Sequence, residues 1–250
     1  MTLKRELQSQ GNFLFRYRGI LPLIVLGVGL GVFAWSVYHE PEFRNSFLSG
    51  PYRFICLAVC LFGQLVRIMT VGYTPKNTSD RNWEKQIANE LNTTGMYSMV
   101  RHPLYLGNFL MWLGIAMLTV NFWLILAFIF MYWVYYERIM YAEEQFLEQK
   151  FGEVYTVWAG RTPAFIPALS KYTRPSMTFS WKKVLKNEKN GFNAIFLLFY
   201  IFQMTEEYIT TGTIFSRFNF WFWAMVGGII TYLFLKFLKK GTNLLEEPGR

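Results

Sequence analysis

Apolar runs about as long as a bilayer core is thick recur along the whole sequence, and few folds can accommodate them. Gly19–Tyr38 and Tyr52–Tyr73 are each long enough to cross roughly 30 Å of hydrocarbon as a helix. Pro103–Thr119 and Phe122 to about Arg138 follow, joined at Val120 and Asn121, and so short a connection makes the two helices antiparallel neighbours. Phe192–Thr211 and Phe218–Leu238 close the chain. The expectation is an all-α, polytopic membrane protein with about six transmembrane helices. Three parts follow: 1–90 with two spans and a polar loop, 91–167 with the hairpin and its flanking motifs, and 168–250 with a basic loop and two final spans.

Charge gives this bundle a direction. The chain carries a net charge of +9, which could indicate a nucleic-acid partner, but the basic residues flank apolar runs, as expected when charge orients a protein in a bilayer. Lys4, Arg5, Arg16 and Arg18 precede the first span. Lys150, Arg161, Lys171, Arg174, Lys182, Lys183, Lys186 and Lys189 follow the hairpin in what reads as a long loop. Both regions, the polar loop Thr74–Asn92 and both termini are therefore placed in the cytosol. The first span is longer than the apolar part of a cleaved signal and lacks a small-residue cleavage pattern, so it reads as retained.

Several features inside the apolar runs have modest readings. Gly27, Gly29 and Gly31 match the glycine spacing of a nucleotide loop, but the apolar context makes Gly27 and Gly31 a close helix contact instead. Cys56 and Cys60, four apart on one helix, share a face and pack as thiols. Arg53 is near a span end, where it can snorkel, whereas Arg67 lies deeper and needs a partner or a wet cavity. Glu206 and Glu207 are open to either a paired structural role or a functional one. With His39 and His102 as the only histidines, the sequence shows neither a zinc ligand set nor a Ser-His-Asp arrangement, and no metal is expected.

The segment with most chemistry begins T-G-M-Y-S-M-V-R-H-P-L-Y-L-G at Thr94. Pro103 suits the first turn of a helix, so amides near His102 to Tyr105 lie where a carboxylate or phosphate can be held, with the Tyr105 hydroxyl beside them. Gly107 admits another backbone or a ligand. After the hairpin, Glu143, Leu147, Phe151, Tyr155 and Trp158 recur at helical spacing, and Glu144 falls about 100° away, so the phase puts Glu143 on the apolar face. Gly152 is a candidate interruption of that helix.

These motifs, R-H-P-L-Y-L-G, then E-E-Q-F-L-E-Q-K-F-G-E-V-Y and R-T-P-A-F-I-P, resemble the integral-membrane methyltransferases that include isoprenylcysteine carboxyl methyltransferases and phospholipid methyltransferases. The resemblance covers Leu91–Pro167 and implies S-adenosylmethionine as cofactor, bound at the cytosolic face. Carried over by position, it implies Leu91, Tyr97, His102, Pro103, Leu104, Tyr105 and Glu143 as cofactor-binding residues. The arginine that holds the substrate carboxylate in the prenylcysteine enzymes falls at Ile139, with Arg138 one step earlier and about 100° round the helix.

That departure, with the two spans after Thr178 that have no counterpart in the prenylcysteine pattern, counts against a prenylated protein substrate, and the expectation is an anionic acceptor on a membrane lipid. A phosphate or carboxylate, such as a phosphomonoester of lipid A, is already ionised and needs orientation by cations more than a base. Arg138 and Arg161, with Arg67 behind them, are the candidates for that catalytic role. The alternatives are a phospholipid amine or an isoprenylcysteine carboxylate as acceptor, an NADPH-dependent membrane sterol-type reductase, and a lipid-binding or transport protein without enzymatic activity. The reductases share R-H-P-x-Y-x-G, but Asn108 and the Glu143–Glu144 pair stand where those enzymes carry an acid and an arginine-aspartate pair. Carboxylates there suit a sulfonium and repel the phosphates of NADPH. The expected setting is a multi-pass position in a bacterial inner membrane or the endoplasmic reticulum.

Overall fold

The computed structural model of the protein describes residues 2–40, 50–76, 88–213 and 218–249. Asn77, Asp80, Arg81 and Asn82 of the expected polar loop lie outside them. The described chain is helical: α1 (Leu3–Arg16), α2 (Leu21–His39), α3 (Tyr52–Gly72), the single turn α4 (Met96–Met99), α5 (Pro103–Met117), α6 (Phe122–Phe151), α7 (Glu153–Arg161), α8 (Trp181–Thr211) and α9 (Phe220–Gly241). Among the described residues four stretches are long and apolar enough to cross a membrane, Pro22–His39, Tyr52–Gly72, Phe122–Phe151 and Phe220–Gly241. This is an integral-membrane, all-α chain. The apolar α5 has 15 residues, about 22 Å of helix, and the expected span Phe192–Thr211 forms the later part of the 31-residue α8.

Local chemistry explains the helix ends. Asn121 caps α6 by accepting from the Leu124 amide at 3.0 Å, and Asn219 caps α9 by accepting from the amides of Trp221 and Phe222. Gly152 ends α6 with φ 55°, a left-handed conformation that favours glycine, so the interruption expected there is real. Helix α1 forms in the basic flank ahead of the first span. Its Gly11 costs helix propensity but is buried against α6: a Cβ there would lie 2.1 Å from the Arg138 carbonyl oxygen.

Glycine contacts differ from the expectation. Among the described residues nothing lies within 4 Å of a Cβ placed on Gly27 or Gly31, so these make no helix contact there. The close seam runs between α3 and α5 instead. A Cβ on Gly63 would come within 2.6 Å of the Gly107 oxygen, and one on Gly114 within 2.4 Å of Cys60 Sγ. Gly107 thus admits a neighbouring backbone, as expected, together with the stem of Arg67. Cys56 and Cys60 are buried free thiols in this seam.

The expected basic loop is partly helix. α8 starts at Trp181 because Ser180 caps it, accepting from the Lys183 amide at 3.1 Å. Lys183 is buried and donates to the carbonyl oxygens of Thr74 and Pro75 just beyond α3. Glu188, also buried, meets Arg67 in a two-pronged pair at 2.8 and 2.7 Å, while Arg67 Nη1 donates to Asn108 Oδ1 at 2.8 Å. The deep cation therefore has a partner on α8. Arg53 does not snorkel: it is 6% exposed and pairs with Glu206, with Gln203 beside it.

Candidate active site

The motif before the hairpin and the one after α7 zip together through the backbone. The amides of Arg101 and His102 donate to the carbonyl oxygens of Pro163 and Ala164 at 2.9 and 3.2 Å. Ala168 N–H donates to Met99 O, Gly95 N–H to Thr173 O, and Thr173 N–H to Ser98 Oγ. The His102 amide, expected to be available to an anion, is occupied in this way. Pro103 opens α5 and is fully buried.

Side chains converge at this seam from α5, α6 and α7. His102 is 6% exposed, lies over Tyr105 with ring centroids 5.7 Å apart, and its Nε2 hydrogen-bonds Glu144 Oε1 at 2.8 Å. Arg101 Nε makes an ion pair with the same oxygen at 3.1 Å, and Arg101 Nη1 donates to Ala159 O. Glu143 stands across the ring, its Oε2 3.7 Å from His102 Nδ1. That oxygen is buried and forms no hydrogen bond among the described residues, and neither does the buried Trp158 indole N–H.

The helical phase puts Glu143 on the apolar face and Glu144 about 100° away, yet both face the site, Glu144 being the less exposed at 22% against 31%. The sector buried by a helix is wider than the stripe marked by Leu147 and Phe151, so one 100° step does not leave it. Glu144 organises Arg101 and His102, and Glu143 keeps one buried oxygen, Oε2, without a hydrogen bond among the described residues. Burial and the Glu143 carboxylate push the Tyr97 phenol up; burial and Glu144 do the same for Tyr155. Both hydroxyls stay protonated near neutrality and can donate.

Of the other expected residues, Leu104 lies in the first turn of α5 and Leu91 in the irregular segment leading to α4, both half-buried. Arg161 is exposed at the end of α7, between Ala159 and Pro163, whose carbonyls hold Arg101. Arg138 is not brought into this cluster. It lies on the α1 face of α6, donating to Gln10 Oε1 at 2.9 Å and to Val134 O. Ile139, where the family resemblance implied an arginine, is fully buried and belongs to the core. Glu144, Arg101, Tyr155 and Trp158 went unassigned in the sequence; the adjacent Glu143–Glu144 pair was the signal for the first.

A membrane-embedded helical bundle with a histidine, an arginine and two carboxylates gathered at one helix start defines a class of protein rather than a reaction. Comparison with known proteins makes this more definite: residues 52–154 match the family model for phospholipid methyltransferases. A protein-S-isoprenylcysteine O-methyltransferase of Schizosaccharomyces pombe is 30% identical over 130 residues, 52% of this chain and 55% of the relative. A nickel-cobalt-cadmium resistance protein of Alcaligenes xylosoxydans is 38% identical over 87 residues, 35% and 40% of the two chains. A cobalt-zinc-cadmium resistance protein of Cupriavidus metallidurans is 43% identical over 88 residues, 34% and 38%. No solved structure matches. The Tyr52–Val154 segment belongs to the phospholipid and isoprenylcysteine methyltransferase family, and the alignments span 38% to 55% of these three relatives.

Proposed function

We propose that the protein is an S-adenosylmethionine-dependent methyltransferase that modifies an anionic group, a phosphate or carboxylate, of a membrane lipid, with its site facing the cytosol. The observation that carries the donor assignment is the buried, unsatisfied Oε2 of Glu143 beside His102. A shielded carboxylate oxygen and the partnerless Trp158 N–H fit a ligand with both donors and acceptors. S-adenosylmethionine has ammonium and hydroxyl donors and carboxylate and ring-nitrogen acceptors. When bound, it supplies an electrophilic methyl group on a sulfonium.

The chain's own residues do the rest. Glu143 accepts hydrogen bonds from the donor and offsets its positive charge, and Tyr97 and Tyr105 present hydroxyls. Pro103, Leu104 and Leu91 supply apolar walls. Glu144 holds Arg101 and His102 in place, so His102 acts as a fixed wall rather than a proton carrier. Arg161, exposed at the end of α7, is assigned the orientation of the acceptor, and alignment of that kind contributes up to about 7–11 kcal/mol in well-ordered sites. An acceptor already ionised needs no base. A lipid A phosphomonoester fits this chemistry, and so does a prenylcysteine carboxylate.

Calorimetry in detergent is expected to show binding of S-adenosylmethionine and none of NADPH; the reverse result would place the chain with the reductases. Glu143→Gln should weaken donor binding by about 1.5–3 kcal/mol, roughly 10- to 150-fold. Arg161→Gln should leave donor affinity unchanged and lower transfer of labelled methyl into a total lipid extract. Identification of a neutral amine as the labelled group would remove the anionic acceptor and leave the methyltransferase intact. Orientation has its own check: in a background free of Cys56 and Cys60, cysteines placed at 77 and 171 should be labelled from the cytosolic side only.

A further inference from the structure

On the far side of α6 from the His102 cluster, α1 and α6 enclose an open groove of about 830 Å³. Phe13, Phe130, Met131 and Val134 line its apolar part and are 38–63% exposed. Ser9, Gln10 and Arg138 line its polar part. The order along α6 is informative: from Phe130 to Arg138 the helix rises about 12 Å and passes from its membrane-crossing half to the charged end that carries Glu143 and Glu144. An acyl chain lying in the bilayer with its headgroup at the interface has the same polarity in the same direction.

Arg138 fixes the sign of the headgroup. Nε and Nη1 are used on Gln10 and the Val134 carbonyl, which hold the guanidinium at the groove. Among the described residues no carboxylate pairs with it and Nη2 forms no hydrogen bond. The fork is thus anchored by one edge with donors to spare, an arrangement suited to phosphate or carboxylate. Lys4, Arg5 and Arg16 on α1 outnumber Glu6, which accepts from Gln10 Nε2 at 3.1 Å, and leave the field positive. About 140° of helix rotation separates Arg138 from Glu143, which keeps this groove apart from the transfer site.

We propose that the α1–α6 groove binds one anionic membrane lipid, its chain along Phe13, Phe130, Met131 and Val134 and its phosphate or carboxylate on Arg138. This lipid is held, not methylated, and seats the amphipathic α1 on the bundle. The test uses full-length protein in phosphatidylcholine nanodiscs containing either phosphatidylglycerol or further phosphatidylcholine with a photoreactive group in the chain. Phosphatidylglycerol should crosslink to residues 10–14 and 130–135 about tenfold more than phosphatidylcholine. Arg138→Gln should abolish that preference and Arg138→Lys should restore most of it. Val134→Trp, which fills the groove, should lose the crosslinks for both lipids, with S-adenosylmethionine binding unchanged as proof of folding. Equal labelling by both lipids, or a preference that survives Arg138→Gln, overturns the site. Loss of donor binding in the unaltered protein would instead remove the methyltransferase reading and leave the lipid result standing.

Discussion

Glu188→Ala is expected to destabilise the protein by roughly 3–5 kcal/mol, the cost of leaving a buried charge without its partner. Arg67 and Glu188 have side chains only 8% and 4% exposed. Three Arg67 nitrogens are engaged, two by Glu188 and one by Asn108, and Gln64 donates to the same carboxylate at 3.0 Å. Removing the carboxylate strands a cation among apolar helices and unlocks α8 from α3. Reversible unfolding in mixed micelles measures the loss, and Arg67→Met with Glu188→Leu should recover most of it, since an apolar pair carries no desolvation penalty. A single variant within about 1 kcal/mol of the parent would show that the pair does not hold α8.

Gly63→Ala should cost about 3 kcal/mol, at the upper end for overpacking, because the added methyl meets backbone that cannot rotate aside. The Gly107 oxygen would lie at 2.6 Å and the Met111 nitrogen at 2.7 Å, so α3 and α5 must separate. His102 sits at the N-cap of α5, and displacement of that helix would also loosen Glu144 and weaken donor binding. Gly31→Ala is the matched control: no atom of the described residues lies within 4 Å of its Cβ, and better helix propensity predicts no loss or a gain of up to about 1 kcal/mol. Equal effects at the two positions would contradict the α3–α5 seam.

The contrast between these glycines shows where sequence reasoning reaches. Both stand in apolar helices with similar neighbours, and Gly27 and Gly31 even have the four-residue spacing of a packing motif. Which glycine meets a backbone depends on which helix faces it, and that is a property of the assembled bundle. The basic segment 181–191 shows the same thing. Its lysines read as part of a cytosolic loop, yet Lys183 and Glu188 are buried because the end of α3 and Arg67 offset their charge.

By itself the sequence determined the apolar helices, the hairpin turn, the break at Gly152, the free cysteines and the family resemblance carried by R-H-P-L-Y and the glutamate pair. These depend on run length, local capping and short motifs, which neighbouring residues decide. Only the tertiary structure paired Arg67 with Glu188 across 121 positions and Arg53 with Glu206 across 153. It alone joined residues 95–102 to 163–173 through their backbones, because such bonds carry no side-chain signature. It also separated the roles of Glu143 and Glu144 and moved Arg138 to the α1 face, since a helix's rotation is set by the neighbours it packs against, here Gly11 on one side and His102 on the other.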